Sequence, residues 1–173
     1  MKRRIIPGLA ALAAATAVLA LAPPGALGQG KALKQQIVGT WTLVSWEQTR
    51  ADGTKLRRFG AHPKGLQVFM ADGRVFLMIA REDLPKIASK DATNPSADEA
   101  KALSVGTLAY YGIYSVDEKT RTINETLEAS SFPNQLDVAQ VRTVTAISAT
   151  TMHFGNTAAV GGGRIDMDWK RVK

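Results

Sequence analysis

The chain of 173 residues contains no cysteine. This absence excludes disulfide bonds, thiolate metal sites, lipid attachment through an N-terminal cysteine, and a cysteine nucleophile. A domain without disulfides must be held together by its own hydrophobic core. The length is sufficient for one domain with a core of that kind.

The usual signatures of catalysis and cofactor binding are also missing. The sequence has no G-x-S-x-G, no H-E-x-x-H, no P-loop and no dinucleotide-binding fingerprint. Its two histidines are His62, in a proline-flanked loop, and His153, in an alternating apolar segment. A metal site needs more ligands than this chain brings together. We therefore expect neither a metal nor a cofactor.

The first 28 residues have the layout of a secretory signal peptide. A basic segment, Lys2 to Arg4, precedes an apolar stretch over residues 9–22, and the small residues Ala26 and Gly28 suggest cleavage before Gln29. The apolar stretch is short and alanine-rich for a membrane span, so an uncleaved anchor is the less favoured alternative. We expect a periplasmic or secreted protein without a stable membrane span, exported by the general or the twin-arginine route.

The basic charge of the chain depends partly on that segment. The formal net charge is +7, but residues 1–28 hold three of the 22 basic residues and none of the 15 acidic ones, which leaves +4. The sequence has no lysine or arginine run and no aromatic RNA-binding motif, so we expect no nucleic-acid partner. The basic residues between Arg50 and Lys64 are interpreted as a solvated face and loop.

Residues 37–47 predict the first strand of the domain. The segment alternates and is rich in β-branched and aromatic residues. Gly39 and Trp41 share one face with Ser45, and Trp46 falls on the other. A glycine two residues before an inward-facing tryptophan lets the backbone pass close under the ring.

The rest of the sequence predicts a series of short strands with one interruption. Residues 81–106 lose the alternation, and a capping box from Ser96 to Glu99 predicts a short helix there. This insert either plugs one barrel opening or is a surface excursion. The other predicted strands cover residues 55–59, 66–70, 74–80, 108–116, 121–130, 138–148, 152–156 and 164–172.

Strands joined in order by short turns indicate an all-β, antiparallel up-and-down barrel. We predict about eight to ten strands with one short helical insert, in a single domain over residues 37–173 that follows a linker over 29–36. A barrel of about eight strands has room for side chains or for one small ligand.

Several short segments carry a family resemblance. The chain resembles the bacterial lipocalin-like domain family, within the wider set of barrels that open with G-x-W. The resemblance implies a barrel fold and, by analogy with lipocalins, a small apolar ligand; it supplies no catalytic residues. The segments that carry it are V-G-T-W at 38–41, A-D-G-R at 71–74, Y-Y-G-I-Y at 110–114, F-P-N at 132–134, Q-V-R at 140–142 and W-K-R at 169–171.

A glutamate falls on the inward face of a predicted strand. Ile123 and Leu127 alternate with polar residues, and Glu125 has their parity. A buried carboxylate must be paired, protonated or functional. If the next hairpin is centred between residues 133 and 134, Arg142 lies directly opposite Glu125 and forms an interior ion pair. The hydroxyls of Tyr110 and Tyr114, on one face of the preceding strand, are predicted to reach the same region.

The leading functional hypothesis is an exported module that binds a small, largely apolar molecule inside the barrel. The first alternative is a barrel enzyme, a cyclase or isomerase, that uses Glu125, Tyr110 or Tyr114 as acid–base. The second is a filled barrel that acts only as a structural or interaction module. Nothing in the sequence indicates an oligomeric state. The predicted ligand contacts are Leu43, Val68, Leu77, Tyr110, Tyr114, Glu125, Leu127 and Arg142.

The ends of the domain predict how the barrel closes. The first and last strands of a closed barrel are neighbours, so Arg171 arrives at the end where Trp41 enters the interior. We predict that the Arg171 guanidinium stacks on the Trp41 indole beside Gly39. This end is then a structural floor, and a ligand enters from the other end.

Overall fold

The computed structural model describes residues 31–157 and 162–173. The predicted signal peptide, residues 1–28, lies outside the described residues and stays a prediction. The first element of the described chain is a five-residue helix, α1 (Leu33–Ile37), which covers the end of the expected linker, residues 29–36, and Ile37, the first residue of the predicted strand. None of the helices in the described ranges is long and apolar enough to cross a membrane.

Nine antiparallel strands and a second helix follow within the described residues, and the predicted all-β barrel is confirmed. Eight strands close into a barrel because β1 pairs with both β3 and β9, while β2 adds a short ninth strand beside β1. The strands are β1 (Gly39–Thr49), β2 (Lys55–Leu56), β3 (Lys64–Phe69), β4 (Arg74–Ala80), β5 (Thr107–Asp117), β6 (Thr122–Ser130), β7 (Gln140–Ile147), β8 (Thr151–Asn156) and β9 (Arg164–Arg171).

The helix predicted in the insert forms with the expected cap. In α2 (Ala97–Gly106), the Ser96 hydroxyl accepts a hydrogen bond from the Glu99 backbone N–H, and the Glu99 carboxylate accepts one from the Ser96 N–H at 2.7 Å. These two bonds satisfy N–H groups that the first turn leaves without intrahelical partners. The capping box therefore sets where the interruption of the β pattern becomes helical.

A β-bulge in β1 reverses the parity predicted for its second half. The pairing with β9 shifts register between Leu43 and Ser45, so Val44 is an extra residue and is 55% exposed. Beyond the bulge, Trp46 faces the interior and is buried, whereas Ser45 lies on the outer side. The expectation of one unbroken alternation over 37–47 was wrong, because a bulge inserts one residue into one strand only.

The strand predicted over 55–59 is shorter than expected. Only Lys55 and Leu56 pair with β1. Phe59 turns inward instead, is 1% exposed, and packs edge-on against Trp46 with ring centroids 5.2 Å apart. Burial of this aromatic side chain outweighs continuation of the strand pairing.

One end of the barrel, where β1 begins and β9 ends, is closed by Trp41, Arg171 and α1. Trp41 is fully buried, and its indole N–H donates to the Ile37 carbonyl at 2.7 Å. The Arg171 guanidinium lies 4.0 Å from the centroid of the Trp41 ring. Its Nη1 and Nε donate to the carbonyls of Val38 and Ala149, each at 2.8 Å, and Nη2 donates to that of Gln36.

Gly39 makes room for this guanidinium rather than for the indole. Its φ of +133° is one that side chains with a Cβ rarely adopt, and a Cβ built there would lie 2.6 Å from Arg171 Nη1. The position therefore requires glycine both for its backbone conformation and for the cation beside it.

We predict that Arg171→Ala lowers stability by about 2–4 kcal/mol, since it removes a cation–π contact and three hydrogen bonds to carbonyls. Thermal and urea unfolding measure this loss. Arg164→Ala on the same strand is the matched control, because Arg164 is exposed and pairs with Asp166 at the surface. Equal melting temperatures for the two variants would contradict the role of Arg171 in closing the barrel.

Candidate functional site

The other end of the barrel, the open end, contains a cavity of about 360 Å³. This volume is near the lower limit of the roughly 300–1,000 Å³ usual for small-molecule sites. Its wall combines inward-facing residues of the barrel with the last turn of α2. The apolar part of the wall consists of Trp46, Leu77, Ile79, Leu108, Ile165 and Met167, with Val105 and Phe132 at the rim.

The bulge in β1 has a direct effect on this cavity. It turns the Trp46 ring and the Gln48 side chain, 7% exposed, toward the interior at the open end. If the alternation had continued unbroken through Val44, the strand would present Ser45 and Glu47 there instead. The apolar character of this wall therefore depends on one irregular position.

The insert contributes to the rim of the cavity through the end of α2. Ser104 and Val105 line the cavity, although most of the helix is exposed. Arg58, between β2 and β3, donates from Nε to the Val105 carbonyl at 2.8 Å and from Nη2 to the Thr107 carbonyl at 3.1 Å. The end of α2 thus forms part of the wall beside the opening. Arg58, in the loop between β2 and β3, holds it there.

A buried polar cluster lies between the cavity and the closed end. Glu125 is 1% exposed, and its carboxyl oxygens accept hydrogen bonds from Tyr110 Oη at 2.9 Å and Gln67 Nε2 at 3.1 Å. Arg142 Nη2 lies 3.7 Å from Glu125 Oε2. Tyr110 and Arg142 also line the cavity, so the cluster meets the cavity through these two side chains.

Burial dominates the electrostatics of this cluster. It raises the pKa of the Glu125 carboxyl, and this effect outweighs the Arg142 charge and the hydrogen bonds from Tyr110 and Gln67, which act in the opposite direction. Burial and the nearby Glu125 charge also raise the pKa of the Tyr110 hydroxyl. The interior therefore favours a protonated carboxyl and a neutral phenol.

The pairing predicted for Glu125 and Arg142 was wrong by two residues. Glu125 faces Gln140 across β6 and β7, and Arg142 faces Ile123. The hairpin is centred one residue earlier than predicted, because the connection contains a 3₁₀ turn over Pro133–Gln135. Arg142 approaches Glu125 diagonally, since its long side chain spans the offset.

The residues predicted to contact a ligand fall into three groups: those that line the cavity, those buried away from it, and two, Val68 and Tyr114, that lie elsewhere. Leu77, Tyr110 and Arg142 line the cavity. Leu43 and Leu127, like Glu125, are buried but are not among the described residues that line the cavity.

Val68 and Tyr114 occupy places different from those predicted. Gln67 and Phe69 have the inward parity of β3, so Val68 faces outward and its predicted contact with a ligand is corrected. The Tyr114 hydroxyl donates to the Met70 carbonyl at 2.8 Å, away from Glu125, and its ring packs edge-on against Phe69 at 5.1 Å. Tyr114 therefore packs near the closed end and does not join the polar cluster.

Sequence reasoning missed several residues of the site. Gln140 shares its parity with Arg142, which is a signal that could have identified it. The alternation of residues 66–70 is compatible with either face, so nothing in it singled out Gln67. The inward position of Trp46 could be predicted only with knowledge of the bulge. The position of Arg58 at the cavity depends on its tertiary contact with α2.

A second polar cluster lies on the outer wall of the barrel. Asp168 accepts a hydrogen bond from the Ser45 hydroxyl at 2.6 Å, and its other oxygen lies 2.7 Å from His153 Nδ1. The serine contacts the aspartate and not the histidine, so this is not the arrangement of an activated nucleophile. Within the described residues, no group of three or more histidine, aspartate or glutamate side chains is arranged to hold a metal ion.

Comparisons with known proteins identify the type of domain. A family model described as a lipocalin-like domain matches residues 38–169. The crystal structure of a lipocalin-like protein from Bacteroides uniformis is similar, with 13% identity and a TM-score of 0.42, covering 79% of this chain and 99% of that chain. A redesigned β-barrel shows 14% identity and a TM-score of 0.43, covering 82% and 96%. No curated protein matches the sequence.

We predict that Glu125→Gln changes how stability depends on pH. The pKa of the Glu125 carboxyl is higher in the folded state than its ordinary value of 4.5, which applies to the unfolded chain. Between the two pKa values the unfolded state binds fewer protons, so the contribution of Glu125 to stability falls as pH rises. Urea unfolding from pH 4 to pH 8 should show wild type losing stability relative to the variant.

The matched control is Glu128→Gln, an exposed position on the same strand. Its carboxylate lies at the surface beside Arg74, so the comparison of the two variants isolates the effect of burying a carboxyl group. A constant difference between Glu125→Gln and wild type would instead mean that the buried carboxyl ionises in the folded state as readily as in the unfolded chain.

Proposed function

Because this chain belongs to the lipocalin-like domain family, we propose that its barrel binds a small, largely apolar molecule at the open end. The observation that carries the proposal is the cavity of about 360 Å³. Its wall is mainly apolar, and a few polar groups converge on it, among them Tyr110, Gln140 and Arg142. This combination is typical of sites in which an apolar surface supplies affinity and polar groups fix orientation.

The proposal includes export to the periplasm or the extracellular space. It is supported by the basic segment, apolar stretch and small-residue site within residues 1–28.

Binding is better supported than acid–base catalysis by Glu125. The Glu125 carboxyl is not among the described groups that line the cavity, so a bound molecule meets Tyr110 and Arg142 first. The Tyr110 hydroxyl donates to Glu125, and its raised pKa makes it a weak acid at neutral pH. The cavity likewise argues against a filled barrel that acts only through its outer surface.

The test uses N-phenyl-1-naphthylamine, an uncharged dye that fluoresces in apolar surroundings. The mature protein should increase its fluorescence in a saturable titration. Leu108→Trp should weaken dye binding by about tenfold or more, because the larger ring occupies the cavity. Leu108 lines the cavity from β5, so its substitution acts directly on the volume available to the dye.

Ile113→Trp is the matched control, since Ile113 lies on the same strand and is 50% exposed on the outer wall. It should bind the dye as wild type does, and melting curves establish that both variants are folded. Equal binding by the two variants would contradict a site inside the barrel.

A further inference from the structure

We propose that the molecule accepted by this cavity is an amphiphilic organic anion whose acidic group binds Arg142. This inference rests on the proposed function and adds the chemical class of the ligand. The Arg142 side chain is a cation that lines a mainly apolar cavity and is only 5% exposed.

The hydrogen-bonding capacity of Arg142 is poorly used by the protein. Its two hydrogen bonds to other groups are long, to Gln140 Oε1 at 3.4 Å and to the Val141 carbonyl at 3.5 Å, and it also interacts with the Tyr110 hydroxyl. Among the described residues, no acceptor lies within hydrogen-bond reach of Nε. A guanidinium carries five N–H donors, and its bonds to an acidic group are usually about 2.7–2.9 Å long. A buried guanidinium that makes two long hydrogen bonds, and whose Nε has no acceptor among the described residues, is suited to an acceptor supplied by a ligand.

Glu125 does not serve as the hydrogen-bond acceptor of Arg142. Its carboxylate oxygen lies 3.7 Å from Arg142 Nη2, beyond hydrogen-bond distance, while Tyr110 and Gln67 donate to it at 2.9 and 3.1 Å. The facing groups that titrate or carry charge are therefore Tyr110 from β5 and Arg142 from β7, and Gln67 from β3 is neutral. Burial raises the pKa of Glu125, which weakens it further as a counter-charge for Arg142.

The charge of the cavity wall favours an anion as well. The described lining residues include two arginines, Arg142 inside and Arg58 at the rim, and no aspartate or glutamate. Two cations beside an apolar, low-dielectric cavity attract an acidic group more strongly than they would in water. The apolar wall around Leu77 and Met167 excludes a small inorganic ion as the best occupant, because such an ion would leave that wall without contacts.

The experiment compares decanoate with decanamide as competitors for the bound uncharged dye at about pH 7. The two compounds share one alkyl chain and differ in charge. Decanoate should displace the dye at a concentration roughly tenfold lower or less, as expected for a charge-assisted hydrogen bond to a buried arginine. In Arg142→Met, the ratio of the displacement constants of decanamide and decanoate should fall to about one, whatever the affinity of the variant for the dye itself.

Arg164→Met is the matched control, since Arg164 is exposed on β9 at the open end and does not line the cavity. It should keep the preference for decanoate. If Arg142→Met is poorly folded because Glu125 loses its neighbour, the double variant Glu125→Gln with Arg142→Met removes both charges and is used in its place.

The outcomes separate the two proposals. Equal displacement by decanoate and decanamide in wild type, or a preference that survives in Arg142→Met, overturns the assignment of an anionic ligand to Arg142 and leaves cavity binding intact. Failure of the dye to bind inside the barrel overturns both the proposed function and this inference.

Discussion

The pairing of β1 with β9 is the constraint on which the rest of the structure depends. It converts an open sheet into a barrel and removes the edges that would otherwise be free to pair with other chains. At the end where this seam begins, Trp41 and Arg171 face each other across the two strands. Because Arg171 also donates hydrogen bonds to carbonyls in and next to α1 and in the turn after β7, one side chain holds these segments together.

Closure at one end determines where a site can exist. Large side chains fill the interior near Trp41, including Phe69, Phe154 and Trp169, which are buried almost completely. Toward the other end the packing gives way to a cavity, and the change occurs at the cluster formed by Glu125, Tyr110 and Arg142. The cluster thus has a filled core on one side and a cavity on the other.

A buried arginine and a buried glutamate in one barrel cost desolvation energy, which their separation of 3.7 Å recovers only in part. Burial raises the pKa of the glutamate, and two neutral donors hold it in place. The arginine contacts the Tyr110 hydroxyl and makes two long hydrogen bonds, to Gln140 and to the Val141 carbonyl, and its Nε has no acceptor within the described residues. This asymmetry is the physical reason for assigning a role in recognition to Arg142 and a supporting role to Glu125.

The strands and their order could be predicted because a barrel wall with one buried face produces strict alternation in the sequence. Turn signals such as Asp72–Gly73 located the hairpin between β3 and β4. Features that depend on a single residue of register could not be predicted. The bulge at Val44, the offset of Arg142 and the outward face of Val68 each reverse or shift parity without a sequence signal.

The site was predicted less completely than the fold for the same reason. Parity identified Glu125 as an interior residue and placed Tyr110 on one face of the preceding strand, and an assumed hairpin register added Arg142. The structure brings these three side chains together. Parity says nothing about depth along the barrel axis, so it could not separate the cavity wall from the core beneath it. The rim formed by Arg58 and α2 depends on contacts between segments far apart in sequence, which no local pattern encodes.

Native mass spectrometry of the protein purified from its own host tests the central claim most directly, namely that the open end holds a small molecule. The account predicts a mass equal to the mature chain plus one small organic compound, which is released on unfolding and detected as an anion. A mass equal to the bare chain, together with an unchanged melting temperature across a panel of lipids and organic acids, would contradict it.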